Sequence, residues 1–203
     1  MSTELSETRP SRRGVPKGDK RERTRAALIE AACAVIREQG YDALTLASVA
    51  ERAGMTTGAI YGNFKNRTDL LIAVGRVRGA PIFPKTWPGM SFRELMRAMA
   101  EAVIAALPQR REAMVGTLGF HAQSLLHEDL RQSSMADVAE IYRQSAAWMA
   151  AMFPANALPM PADALVRVIH ALIDGLVERR ILTPELIADE VIYAAFDALA
   201  NTA

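Results

Sequence analysis

The most constraining feature of the chain is residues 45–65, where two short helical patterns meet at a glycine. Thr45 is suited to cap the first helix, because its side chain can accept a hydrogen bond from the free amides of a first turn. Gly54 supplies a tight turn after that helix. The apolar residues of the first pattern recur at the spacing of one buried helix face: Leu46, Val49, Ala50 and Ala53.

The second pattern predicts a helix from Thr57 to about Phe64, capped by Thr56. Ile60 and Phe64 would form its inner face. Its outer face would carry Thr57, Gly58, Tyr61, Gly62 and Asn63. Two short helices joined in this way form a helix-turn-helix, whose second helix fits the major groove of DNA.

The segment from Ala50 to Leu70 resembles the DNA-binding signature of the TetR family of bacterial repressors. The matching residues are Ala50, Ala53, Gly54, Met55, Thr56, Gly58, Ile60, Tyr61, Asn63, Phe64, Arg67 and Leu70. The chain departs from the family at Asn63, where histidine is most frequent, and at Arg67, where lysine is most frequent. Both replacements keep a donor for phosphate.

The resemblance implies DNA contacts at seven positions: Thr45, Thr56, Thr57, Tyr61, Asn63, Lys65 and Arg67. Most of these would grip phosphates, which anchors a protein on DNA without reading its sequence. Gly62 and Thr57 are expected nearest the bases, because Gly62 permits close backbone approach and the Thr57 methyl can touch a thymine. Gly58 would bring a backbone amide near phosphate.

The expected fold class is all-α, with an N-terminal three-helix helix-turn-helix domain and a C-terminal helical domain for ligand binding and dimerisation. Residues 1–19 are expected to be a disordered basic tail, which either is solvated or reaches a minor groove. Residues 20–66 would form the DNA-binding domain, 67–79 a linking helix, and 80–203 the C-terminal domain.

The charge distribution agrees with this division. The chain of 203 residues has a net charge of only +1. Residues 1–79 contain fourteen Lys and Arg and nine Asp and Glu. Residues 80–203 contain ten Lys and Arg and fourteen Asp and Glu. The basic part is the part that would meet phosphate.

Further helices are expected after the proline-rich segment at 81–88. Their predicted bounds are 92–107, capped by Ser91 and stopped at Pro108, then 110–126, 134–153, 162–182 and 184–200. The last two are apolar on more than one face, which predicts a homodimer through the two C-terminal helices. The alternative is that these helices are buried all round within one protomer.

The family resemblance implies that the C-terminal domain binds a small effector. Its cavity would be lined by Phe92, Met96, Met99, Met114, Leu118, Trp148, Met149 and Met152, which suits an apolar or aromatic molecule. Packing in the core explains the same residues equally well. His121 is expected among Met114, Leu118 and Leu125, bonded either to the ligand or to protein.

Other functional classes find little support. None of the three histidines makes a metal-ligand pair at helical spacing, and no glycine-rich phosphate loop or nucleophile elbow occurs, so no catalytic residue, metal or cofactor is expected. A polar N-terminus and short apolar runs favour a cytoplasmic protein without membrane association. The sequence therefore predicts a dimeric repressor of a palindromic operator. The alternative is a constitutive or architectural DNA-binding protein without an effector.

Overall fold

The computed structural model describes residues 17–77 and 82–201, and every regular element in these residues is helical. The α-helices are α1 Lys17–Gln39, α2 Leu46–Arg52, α3 Thr57–Tyr61, α4 Arg67–Val77, α5 Phe92–Leu126, α6 Glu128–Met152, α7 Ala162–Leu182 and α8 Asp189–Ala200. A single 3₁₀ turn, Ala155–Ala157, separates α6 from α7. The all-α prediction is confirmed. Residues 1–16 of the predicted tail lie outside the described residues, and α1 already includes residues 17–19.

Helices α1 to α4 surround one hydrophobic core. Its fully buried side chains include Leu28, Ile36, Leu44, Val49, Ile60, Phe64, Leu70 and Leu71. Leu130 of α6 belongs to the same core, so the N-terminal domain is closed on one side by a helix of the C-terminal domain.

Helices α5 to α8 surround the second core. Its most deeply buried side chains include Leu95, Met96, Val103, Leu165, Ile192 and Phe196. Ser91 caps α5 as expected, and Glu94 completes a reciprocal capping box with it. No helix of the described residues combines the length and hydropathy that crossing a membrane requires.

Helix α5 runs through Pro108, where the sequence predicted a break. A proline lacks the N–H that the carbonyl of Ile104 would bind, which usually kinks or ends a helix. Pro108 lies on the exposed side of α5, and no side chain of the described residues packs it into the core. The neighbouring turns remain helical because Val103 and Met114 hold both halves in buried positions.

Other helix bounds also differ from the predictions. Helix α6 begins at Glu128 rather than Ser134, with Glu128 and Asp129 in its first turn, where carboxylates are favoured by the helix dipole. Helix α8 begins at Asp189 rather than Pro184. Arg180 of α7 binds the Asp189 carboxylate at 2.8 Å and also the Ile187 carbonyl. These contacts tie the start of α8 to α7.

The two domains meet through close contacts of α4 and the α1–α2 connection with α5. The Tyr41 hydroxyl donates to the Gly116 carbonyl at 2.6 Å. A Cβ at Gly119 would lie 2.1 Å from the Tyr41 ring, and one at Gly75 would lie 2.7 Å from the Phe120 ring. The glycines therefore allow aromatic rings to pack directly against helix backbone.

Candidate nucleic-acid interface

Helix α2 is fixed at its start by a reciprocal cap. The Thr45 hydroxyl oxygen accepts from the Ser48 amide at 2.9 Å, and the Ser48 hydroxyl oxygen accepts from the Thr45 amide at 3.0 Å. The helix ends before Gly54, whose φ of +63° allows the chain to turn sharply. Met55 then donates to the Ala50 carbonyl at 2.9 Å, which closes the turn.

Helix α3 presents two different faces. Thr56 caps it, with its hydroxyl oxygen accepting from the Ala59 amide at 3.3 Å. Ile60 is fully buried and points to the core, whereas the Tyr61 side chain is 59% exposed. The other residues on the exposed side are Thr57, Gly58 and Gly62. This small, open surface is well suited to the close approach of another backbone or of DNA.

The Asn63 and Arg67 side chains, expected to offer donors to phosphate, are engaged within the protein. Asn63 Nδ2 donates to the Ala59 carbonyl at 2.8 Å, and its Oδ1 is buried without a hydrogen-bond partner among the described residues. Arg67 donates from Nε to the Leu44 carbonyl at 2.8 Å and from Nη2 to the Tyr41 carbonyl at 2.7 Å. These bonds assign both side chains to holding the motif together, and any additional DNA contact stays a prediction.

The remaining predicted positions lie at the surface. Thr45 and Thr56 are both exposed, although the Thr45 hydroxyl caps α2 and the Thr56 hydroxyl caps α3. Lys65 is exposed, and its backbone amide donates to the Asp69 carboxylate at 3.1 Å. Seven predicted contact residues are therefore exposed to solvent: Thr45, Thr56, Thr57, Gly58, Tyr61, Gly62 and Lys65.

Sequence reasoning missed two arginines of α1 that lie at the end of α3. Arg25 Nη1 donates to the Asn63 carbonyl at 2.8 Å, and the Arg21 Nη2 lies 3.5 Å from the Gly62 carbonyl. The signal was present as two arginines four residues apart, which places them on one helix face. The pattern did not tell which helix they would face.

The basic residue Arg52 is paired with a carboxylate of the protein itself. Arg52 of α2 makes a paired contact with the Glu38 carboxylate of α1, with both N–O distances at 2.7 Å. The hydrogen bonds from Arg52 lower the pKa of Glu38. Because both groups are exposed, this pair orients α2 on α1 more than it stabilises the fold.

The nine residues predicted to bind a ligand differ in how far they are buried, and Met99 and Met149 are among the buried ones. Phe92, Met96 and Met114 are buried core residues, Leu118 and Met152 are partly buried, and Trp148 is 40% exposed. The expected position of His121 is wrong, because its side chain is exposed, and Leu125 beside it is 84% exposed. The reason is that α5 turns Gly116 toward Tyr41 of the α1–α2 connection and Phe120 toward α4 instead.

A groove of about 470 Å³ lies between α6 and α7. Its lining residues are Met135, Val138, Ala139, Tyr142, Arg143, Ala146, Asp163 and Arg167. A second groove, of about 420 Å³, runs along α5 beside Ile82 and Phe83. None of the nine predicted ligand residues lines either of these two grooves.

Helices α5, α6 and α7 also bring together a group of polar residues. The His170 and Tyr142 rings meet edge to face, with centroids 5.1 Å apart. Burial lowers the pKa of His170, against the opposing effect of Asp174. Burial raises the pKa of the Asp174 carboxyl, although the charges of His170, His121 and Arg110 act in the opposite direction. An uncharged Asp174 is therefore favoured by this environment more than it is in water.

Comparison with known proteins gives matches to both domains. The family model described as bacterial regulatory proteins, tetR family, matches residues 28–74. The model described as BetI-type transcriptional repressor, C-terminal, matches residues 92–203. The chain is 31% identical over 180 residues to the transcriptional regulator BetI of Paraburkholderia xenovorans, covering 84% of this chain and 88% of that protein.

Two solved structures share the fold. A TetR-family transcriptional regulator from Rhodococcus sp. has a TM-score of 0.69 at 22% identity, covering 89% of this chain and 97% of that chain. The multidrug binding protein EbrR, complexed with malachite green, has a TM-score of 0.61 at 22% identity, covering 86% of this chain and 96% of that chain.

Proposed function

Because the chain belongs to the TetR family of bacterial transcriptional regulators, we propose that it is a dimeric repressor released from a near-palindromic operator by a small effector. The family consists of DNA-binding regulators rather than enzymes. The observation that carries the proposal is the outer face of α3, where Thr57, Gly58, Tyr61 and Gly62 are exposed while Ile60 is fully buried.

In this proposal, α3 lies in the major groove and is anchored by phosphate contacts from Tyr61 and Lys65. The Thr57 methyl and the Gly62 backbone are placed nearest the base edges. Asn63 and Arg67 support the motif from within the protein, since they donate hydrogen bonds to the Ala59, Leu44 and Tyr41 carbonyls. A symmetric dimer would read two half-sites whose centres are about 34 Å apart.

We assign dimerisation to the outer faces of α7 and α8. Leu165 and Ile169 of α7 face the core, whereas Val168 is 40% exposed. A Cβ built at Gly175 would meet no atom within 4 Å, so this part of α7 is open for another helix to approach. Val191 extends the exposed apolar surface onto α8, where it is 40% exposed. Pairing with a second copy would remove this surface from water.

The effector is proposed to be a small apolar or aromatic molecule held by the α5–α8 domain. The groove between α6 and α7, with Met135, Val138 and Tyr142 in its wall, offers a surface of this character. EbrR, which shares the fold, is complexed with malachite green, an aromatic molecule. This likeness guides the choice of probes for the chain.

Effector binding would act on DNA through α4. Gly75 of α4 packs against Phe120 of α5, and Arg76 binds Asp137 of α6 at 2.7 Å. A shift of α5 or α6 would therefore move α4 and change the spacing of the two α3 helices. A 100-fold loss of operator affinity needs a coupling free energy of about 2.7 kcal/mol, within the usual range for allosteric proteins.

The first experiment is selection of genomic DNA fragments by the purified protein, followed by footprinting of the best site on both strands. A palindromic footprint with half-sites about one helical turn apart supports the dimeric model. Tyr61→Ala should fold and dimerise normally but bind that site weakly, because it removes an outward-facing ring and leaves the buried face intact. Normal affinity in this variant would contradict the proposed interface.

The effector is then sought by adding malachite green and a panel of apolar and aromatic compounds to the protein–operator complex. Release of the operator by one of them, with saturation, supports the effector part of the proposal. Selective binding that no compound weakens favours the constitutive DNA-binding protein instead.

A further inference from the structure

Helix α3 has too little structure of its own to fix its orientation. It contains five residues, and isolated helices of this length are unstable in water. Thr56 caps its start, and Ile60 anchors its inner side in the core. Its other end leads into Gly62 and Asn63, which connect it to α4. The contacts of this connection therefore help to hold the end of α3 in place.

Arg25 of α1 makes two different contacts with that connection. Its Nη1 donates to the Asn63 carbonyl at 2.8 Å. Its guanidinium carbon lies 4.4 Å from the centroid of the Phe64 ring. Because the Phe64 side chain is only 1% exposed, the ring is a fixed platform for the guanidinium. A planar guanidinium can stack on a ring and donate from its edge at the same time, which a lysine ammonium cannot do.

Arg21 provides a natural comparison one helical turn earlier on the same face of α1. Its side chain is exposed, and its Nη2 lies 3.5 Å from the Gly62 carbonyl, the limit of a hydrogen bond. Arg25, by contrast, also stacks on the Phe64 ring. The two arginines therefore carry the same charge near the same end of α3, but Arg25 holds that end more firmly than Arg21 does.

We infer that Arg25 is a positioning residue for DNA recognition, which fixes the angle of α3 through the Asn63 carbonyl and the Phe64 ring. The inference rests on the proposed function, because it assigns Arg25 a role in operator reading. In this role Arg25 contributes to sequence preference rather than to the general attraction for phosphate. Losing it lets α3 tilt, so that contacts at the base edges weaken while phosphate attraction remains.

The test compares Arg25→Lys, Arg25→Gln and Arg21→Gln with the unchanged protein. Dissociation constants are measured for the selected operator and for an unrelated duplex of equal length, at several salt concentrations. Arg25→Lys keeps the charge but loses the stacked fork, so we expect unchanged affinity for the unrelated duplex. Its affinity for the operator should fall about tenfold, the scale of losing a hydrogen bond from a charged donor.

The two glutamine variants separate charge from position. Arg25→Gln should lose operator preference about as far as Arg25→Lys does. Arg21→Gln should weaken binding to both duplexes alike and preserve the ratio between them. If Arg21 binds phosphate, the slope of log affinity against log salt becomes shallower by about 0.9 for each phosphate that the variant no longer neutralises.

Stability is measured by thermal unfolding, and binding is compared at a temperature where every variant is fully folded. A purely structural role would lower the melting temperature without changing the ratio of operator to unrelated affinity. A wild-type ratio in Arg25→Lys would overturn the inference, as would an Arg25→Gln variant that alters only the salt slope. Failure of the proposed function would show separately, as absence of sequence preference in the unchanged protein.

Discussion

Gly58→Ala should change protein stability and DNA binding in opposite directions. Gly58 is exposed on α3, and its φ is not positive, so a side chain is compatible with the backbone. A Cβ built there meets nothing nearer than the Thr56 hydroxyl oxygen at 3.9 Å. Alanine therefore fits the folded chain without strain, and its methyl points out from the surface proposed to face DNA.

The expected magnitudes follow from this geometry. Alanine is favoured over glycine within a helix by about 0.5 to 1 kcal/mol, which corresponds to a rise in melting temperature of roughly 1 to 4 °C for a chain of this size. A methyl forced into a tightly packed contact costs about 1 to 3 kcal/mol. If the contact is with DNA, affinity for each half-site falls about 5- to 150-fold.

Thermal unfolding followed by circular dichroism measures the first effect, and anisotropy titration of a fluorescent operator measures the second. The same titration with an unrelated duplex controls for general loss of DNA affinity. A raised melting temperature together with unchanged operator affinity would refute the placement of α3 against DNA. A lowered melting temperature would refute the reasoning about free space at Gly58.

Three further substitutions test other parts of the structure. Gly175→Ala should leave the protomer folded, since the new Cβ meets no atom within 4 Å. It should raise the dimer dissociation constant measured by sedimentation about tenfold, and an unchanged constant would argue against the α7 interface. Gly119→Ala would place a Cβ 2.1 Å from the Tyr41 ring, so urea unfolding should show a loss of about 1 to 3 kcal/mol, whereas wild-type stability would show that the ring moves freely. Asp174→Asn should raise the melting temperature at pH 7, because the raised pKa of the Asp174 carboxyl means that its charge costs the folded state stability. This gain should shrink as the pH falls toward 3.8, the pKa of the carboxyl in the unfolded chain. A gain independent of pH would exclude ionisation as its cause.

The helix-turn-helix could be predicted from the sequence because its signals are local. Thr45, Thr56 and Ser91 each cap the helix that follows them, as their side chains and positions indicated. Val49 and Ile60 are fully buried, as their helical spacing required. Capping and periodicity depend on residues within one or two turns, so the sequence contains the needed information.

Predictions that depended on distant partners were less successful. The stripe through His121 and Leu125 predicted a buried face, but α5 turns Gly116 and Phe120 toward the N-terminal domain instead. Both of these inward residues lie on the same helix as the predicted stripe. Which stripe is buried depends on what packs against the helix, and spacing along one chain segment does not contain that information.

By itself, the sequence determined the helical class, the caps and the inward face of the recognition helix, because each follows from side-chain chemistry at short range. Only the tertiary structure decided the partners of the arginines. Arg67 binds carbonyls of the Tyr41–Leu44 segment, and Arg25 binds the carbonyl of Asn63, 38 residues away. A guanidinium can bind any carbonyl or phosphate within reach, so its role is fixed only when the packed helices bring one partner to it.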